Sequence, residues 1–156
     1  MTPKSNFEPA IEPNARMGQE TAAQSGILVP PAAVRFDADE VRLARELKRA
    51  GMPWQPAPGQ FVIDEKNLIQ RGSPFQSGVY FILNFERFVT IAGGMSELLE
   101  SMTWLPTFEQ CREILRGLGI DNQMQVDQLS DQRSFESGRE RVDLYRLILE
   151  CLQRND

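Results

Sequence analysis

Apolar residues recur at three- and four-residue intervals in three stretches of the chain, each behind a helix-starting pattern. Asp37 can cap the segment Ala38 to Ala50, and Glu40, three residues on, can return the bond. Val41, Ala44, Leu47 and the stem of Lys48 then share one face, and Gly51 with Pro53 stops the helix. The box Trp104-Leu105-Pro106-Thr107 runs into Thr107-Phe108-Glu109-Gln110, a second start signal. Behind it Phe108, Cys111, Ile114, Leu115 and Leu118 fall in step, predicting a helix from Phe108 to about Gly117. Ser137 and Glu140 repeat the start pattern before Val142, Tyr145, Ile148, Leu149 and Leu152, a long amphipathic C-terminal helix.

Between the first two helices the periodicity changes. Phe61-Val62-Ile63 reads as a short strand, and Val79 to Leu83 is a run too short for an ordinary helix and rich in residues that suit a pleated surface. Asn84 to Arg87 can form a turn that returns Phe88 to Ala92 as the partner of that run, a hairpin. Gly93-Gly94 ends it, and Met95 to Met102 forms a short helix. Gln123 to Asp127 alternates polar and apolar, which permits an edge strand. The expected fold class is α+β: a three-stranded antiparallel sheet, four-stranded if that edge forms, against two or three helices.

Composition divides the chain near Arg35. Before it lie five prolines and one aromatic residue, Phe7, so residues 1–35 are expected to be a disordered or extended tail and 36–156 a single domain. Disorder is expected from about Met1 to Gln24, while Ile27 to Pro31 could lie extended on the body or on a partner. At 41% hydrophobic and 25% charged residues, the remainder can build a core. A net charge of -5 argues against nucleic acid as a partner, because phosphate binding draws on clustered Lys and Arg. No apolar run follows Met1 to Ser5, and none approaches the roughly 20 residues of a membrane helix. A cytoplasmic, reducing setting is expected, with no membrane contact and with Cys111 as a small core residue.

Histidine is absent, which removes Ser-His-Asp and Cys-His catalysis within the chain and any Cys/His zinc site. Carboxylates are the remaining candidates. Glu109 and Glu113 share a helix face, and with Glu97 and Glu100 they form an acidic neighbourhood, since no Lys or Arg occurs from Thr90 through Cys111. Such a set could hold a hard cation or split into an acid and a base, but Arg112 and Arg116 flank it and a solvated acidic face accounts for it better. Asp121 to Asp131 lacks the calcium-loop pattern, and Gly93-Gly94 has no basic neighbour to help hold a phosphate, so no metal and no cofactor are expected. Trp54, in the proline-rich connection Met52 to Gly59, and Trp104, before a helix, sit where a cleft or an interaction surface could form.

The stretch from Trp104 to Leu115 is similar to an aromatic-Leu-Pro-Thr box in short bacterial and phage-associated proteins, a likeness too local to carry a family. In size, acidity and rough element order the chain resembles small acidic secretion chaperones, an analogy without a shared motif.

The function expected is a non-catalytic cytoplasmic binding or adaptor domain acting through protein–protein contacts. Apolar positions cover more of the last helix than one packing surface needs, so Leu144 and Leu147, with Trp54 and Trp104, are expected to face a protein partner or a second copy. The alternative is a small-ligand-binding protein or a carboxylate-dependent enzyme. Its pocket would lie near Trp54 and Trp104 and hold Glu97, Glu100, Glu109 or Glu113, one of them with a raised pKa.

Overall fold

The computed structural model describes residues 34–154. The disorder expected over Met1 to Gln24 and the docking considered for Ile27 to Pro31 lie outside the described residues.

Two of the three predicted capping boxes form. Asp37 Oδ1 accepts from the Glu40 amide at 2.8 Å and Glu40 Oε2 accepts from the Asp37 amide at 2.7 Å, opening α1 (Ala38–Arg49). Leu43, Ala44 and Leu47 are its buried face. Thr107 and Gln110 exchange the same pair of bonds, at 3.3 and 3.0 Å, at the head of the helix over Phe108–Gly117.

The sheet is antiparallel, but one of its three strands is not the predicted one. Strand β1 (Phe61–Asp64) lies between β2 (Val79–Phe81) and β3 (Met102–Leu105), with Val62 opposite both Tyr80 and Trp104. The Trp104 box is therefore the end of a strand, and Pro106, which has no amide hydrogen to donate, closes it. The segment Phe88 to Ala92, expected to return as a hairpin strand, belongs to α2 (Phe85–Ala92). Asn84, taken as a turn residue, is its cap and accepts from the Arg87 amide at 2.9 Å. Phe85, Phe88, Val89 and Ala92 then turn toward the sheet at helical spacing. Gly93, at φ 89°, ends the helix in a backbone conformation that favours glycine. The short helix expected next is α3 (Met95–Ser101), which runs directly into β3.

Beyond α4 (Phe108–Gly117) the permitted edge strand is also a helix, α5 (Asn122–Asp131), capped by Asp121. Its inward residues are Gln125 and Leu129, four apart. The buried Gln125 amide donates to the Ile120 carbonyl at 2.9 Å and the Arg112 carbonyl at 3.2 Å, so it belongs inside although it is polar. A short α6 (Ser134–Ser137) precedes α7 (Glu140–Arg154). Ser137 does not cap α7: its hydroxyl donates back to the Arg133 and Ser134 carbonyls. Gly138, at φ 65°, turns the chain between the two helices.

The result is an α+β body with helices on both faces of the sheet. On one face Phe61 meets Phe36, Phe75 and Phe81 with ring centroids 4.8–5.5 Å apart, and Val79 and Leu105 join the core formed with α1, α4 and α7. On the other, Val62, Ile82 and Met102 meet Phe88, Ala92 and Leu98 of α2 and α3. Cover on both sides explains why β1 buries neighbouring residues instead of alternating.

One expectation about α7 is corrected. Leu144 and Leu147, assigned to a partner surface, are 0% and 9% exposed. α7 packs against α1, α4, α5 and α6, so the apolar positions beyond one stripe face other helices of this chain.

Candidate functional site

Trp54 is half-buried and packs against the cluster of Val62, Ile82, Phe88 and Met102 on the α2–α3 side, and its indole N–H donates to Gln60 Oε1 at 2.9 Å. The same oxygen accepts from the Ala57 amide at 3.0 Å, while Gln60 Nε2 donates to the Gln55 carbonyl at 3.1 Å. Gln60 thus fastens the proline-rich connection, and Trp54 is the wedge it holds. Trp104 is half-buried on β3 and packs against the main core; its indole nitrogen is buried with no partner among the described residues. Different hydrophobic clusters receive the two tryptophans.

The four glutamates do not converge. Glu97 and Glu100 of α3 both clasp Lys66, at 3.1 and 2.7 Å. Glu97 also accepts from the Ser101 hydroxyl at 2.7 Å; that bond first, and Lys66 second, hold its carboxyl below the ordinary value rather than above it. Glu109 is exposed in the first turn of α4, where a carboxylate suits the helix dipole. Glu113 is exposed one turn on, 3.7 Å from Arg116. No group of three or more acidic or thiol side chains among the described residues is placed to hold a metal ion.

Glu65, at the exit of β1, anchors a second network. It accepts from Arg45 Nε and Nη2 at 2.8 and 3.0 Å and from the Thr103 hydroxyl at 3.0 Å. Beside it, Lys48 Nζ donates to the Glu100 and Met102 carbonyls, each at 2.7 Å, where α3 becomes β3; burial draws the Lys48 pKa down. The Arg45 hydrogen bond, ahead of the Thr103 bond, lowers the Glu65 pKa against an opposing effect of burial. A carboxyl depressed in the folded state adds stability above its unfolded pKa and loses it as pH falls through the folded value. Urea unfolding midpoints are therefore expected to fall from pH 7 to pH 3, and Glu65→Gln should make that fall shallower. A variant midpoint that drops as steeply as the parent's would remove Glu65 from the account.

A groove of ≈ 650 Å³ lies elsewhere, lined by Arg35, Phe36, Glu40, Phe75, Gln76 and Arg141 among others, and by neither tryptophan. Several of its polar groups are already matched to one another. Arg141 donates to Glu40 through Nε at 2.5 Å and Nη2 at 2.8 Å, and its guanidinium lies 4.4 Å over the Phe36 ring. Burial pulls the Arg141 pKa down, but the hydrogen bonds to Glu40 and the charge of that carboxylate together outweigh it, so the guanidinium stays charged. Gln76 brackets Phe36, accepting from its amide at 3.0 Å and donating to its carbonyl at 2.9 Å. This arrangement seats the start of α1 on α7 and on the loop before β2.

The possible nucleophiles are equally committed. Burial pushes the Cys111 thiol far above its ordinary pKa and also raises Cys151. Tyr145 is raised by burial as well, and its hydroxyl donates to the Pro106 carbonyl at 2.7 Å.

The outer helices carry what sequence reasoning missed. Among the described residues the exposed large apolar side chains are Val34, four from Leu83 to Leu99 (Leu83, Ile91, Met95, Leu99) and three from Met124 to Phe135 (Met124, Val126, Phe135). Sequence periodicity marks which face of a helix is apolar, not which apolar residues remain uncovered after packing. The fold and its surface thus define an α+β domain whose uncommitted groups lie on its flanking helices. No family model matches the chain, and neither a curated protein nor a solved structure matches it.

Proposed function

We propose that the chain is a non-catalytic binding or adaptor domain that works through protein–protein contacts made by its outer helices. The observation that carries this reading is the placement of exposed apolar side chains on two helical units, α2–α3 and α5–α6. Apolar side chains left in water at neighbouring positions favour association with another surface. The proposed setting is the cytoplasm, in keeping with two buried, unpaired cysteines, and the proposed partner is a protein or a second copy. Among the described residues no helix is long and apolar enough to cross a membrane.

Photo-crosslinking in producing cells tests the reading. A benzophenone side chain would replace Leu99, Phe135 or, as an exposed polar control, Gln70. Adducts of one defined mass from Leu99 or Phe135, and none from Gln70, are expected. Equal and heterogeneous labelling at all three positions would overturn the proposal.

A further inference from the structure

We infer that the α5–α6 unit is the docking face, and that its partner is a cationic amphipathic segment of another protein. This rests on the protein-binding reading above and adds the chemistry of the partner. Residues 34–154 contain 15 Lys and Arg against 18 Asp and Glu. From Gly117 to Gly138 there are four acids, Asp121, Asp127, Asp131 and Glu136, against Arg133 alone, so this segment holds the entire excess of three negative charges. The rest of the described body is balanced.

The excess is also unmatched. Arg133 bonds Glu136 at 2.8 Å, within the same short unit. None of the three aspartates pairs with a cation among the described residues. Asp121 caps α5, and Asp127 only accepts the Gln123 amide at 2.8 Å. On α5 the inward side belongs to Gln125 and Leu129, which places Asp127 outward with Asp131 one turn further along. Met124 and Val126 lie on the two flanks of Asp127, 50% and 43% exposed, and Phe135 on α6 is 53% exposed.

Such a face suits apolar side chains flanked by Lys or Arg, the pattern of an amphipathic helix laid on a groove or ridge. Charge selects against the other occupants. A second copy would set aspartate against aspartate, and a nucleic acid or an anionic lipid surface would meet like charge. The α2–α3 unit lacks this selectivity, because Lys66 already sits between Glu97 and Glu100.

The test uses the full chain, isotopically labelled, titrated with two synthetic helical peptides. Both carry the same leucine positions, and their polar positions are all Lys in one and all Glu in the other. The Lys peptide is expected to shift the amides of α5 and α6 and to bind more weakly as salt rises. Asp127→Asn with Asp131→Asn, two exposed changes that leave the core intact, should weaken it roughly three- to tenfold. Shifts confined to other elements, or an affinity unchanged in the double variant, would overturn the inference. Equal binding of the Glu peptide to the same face would also overturn it while leaving the protein-binding reading in place. Crosslinks from Leu99 with none from Phe135 would do the same.

Discussion

Leu144→Ala is expected to lower the unfolding free energy by about 2–5 kcal/mol, read as a fall in the urea midpoint at constant slope. Leu144 is 0% exposed and sits in the core with Leu47, Leu115 and Ile148. Truncation removes apolar burial and leaves a cavity that helices on several sides cannot readily collapse to fill. The number separates two accounts of α7. A leucine reserved for a partner would be close to neutral when truncated in the free chain, within about 0.5 kcal/mol. A loss that small would mean that α7 does present this residue to another molecule and that the packing described above is wrong. Leu147 should follow Leu144 at the low end of the range, since it is 9% exposed and touches the edge of the core.

Glu40→Ala is expected to cost about 2–4 kcal/mol. The substitution takes away the partner of Arg141 and also the carboxylate that caps the Asp37 amide. Its side chain is 7% exposed and that of Arg141 22%, so the stranded guanidinium would recover only part of its hydration. Glu40→Gln separates the two losses. The amide oxygen can still accept from Asp37, so the cap survives while the charge does not. The glutamine variant is expected to lie between the parent and Glu40→Ala. Should Glu40→Ala lose less than about 0.5 kcal/mol, the pair is behaving as an exposed surface ion pair and does not anchor α1 on α7.

Local grammar made some of this architecture legible. The Asp37–Glu40 and Thr107–Gln110 boxes lie within a few residues of the amides they satisfy, and both helices begin where the boxes place them. Phe88 to Ala92 was ambiguous for a physical reason. Its aromatic and β-branched residues suit a strand, and its buried positions recur at helical spacing; the Asn84 cap and the sheet face it covers decide for the helix. Gln125 concealed α5, because a polar residue on the inward face breaks the apolar repeat, and only the Ile120 and Arg112 carbonyls reveal why it belongs there. The surplus apolar positions of α7 were visible, but not their destination, since that depends on α4, α5 and α6 folding back over them.

For the candidate site the division is similar. The acids around Glu97 could be counted, but Lys66 lies far away in sequence and reaches them only through the fold. The excess of acid between Gly117 and Gly138 was countable from the start. Its importance emerges only once the rest of the described body, taken together, proves electrically even, and once Met124 and Phe135 are found bare in the same segment.

The last long helix fills the middle of the molecule, and this bears on how the protein is made. α1 emerges from the ribosome well before Arg141 and Tyr145, which fasten it and the Pro106 corner; Arg141 follows its partner Glu40 by 101 residues. Until then the nascent polypeptide has strands and helices but nothing to close around. Completion of folding should therefore wait for α7, and until that helix is made Leu43, Leu47 and Leu115 stay open to chaperones.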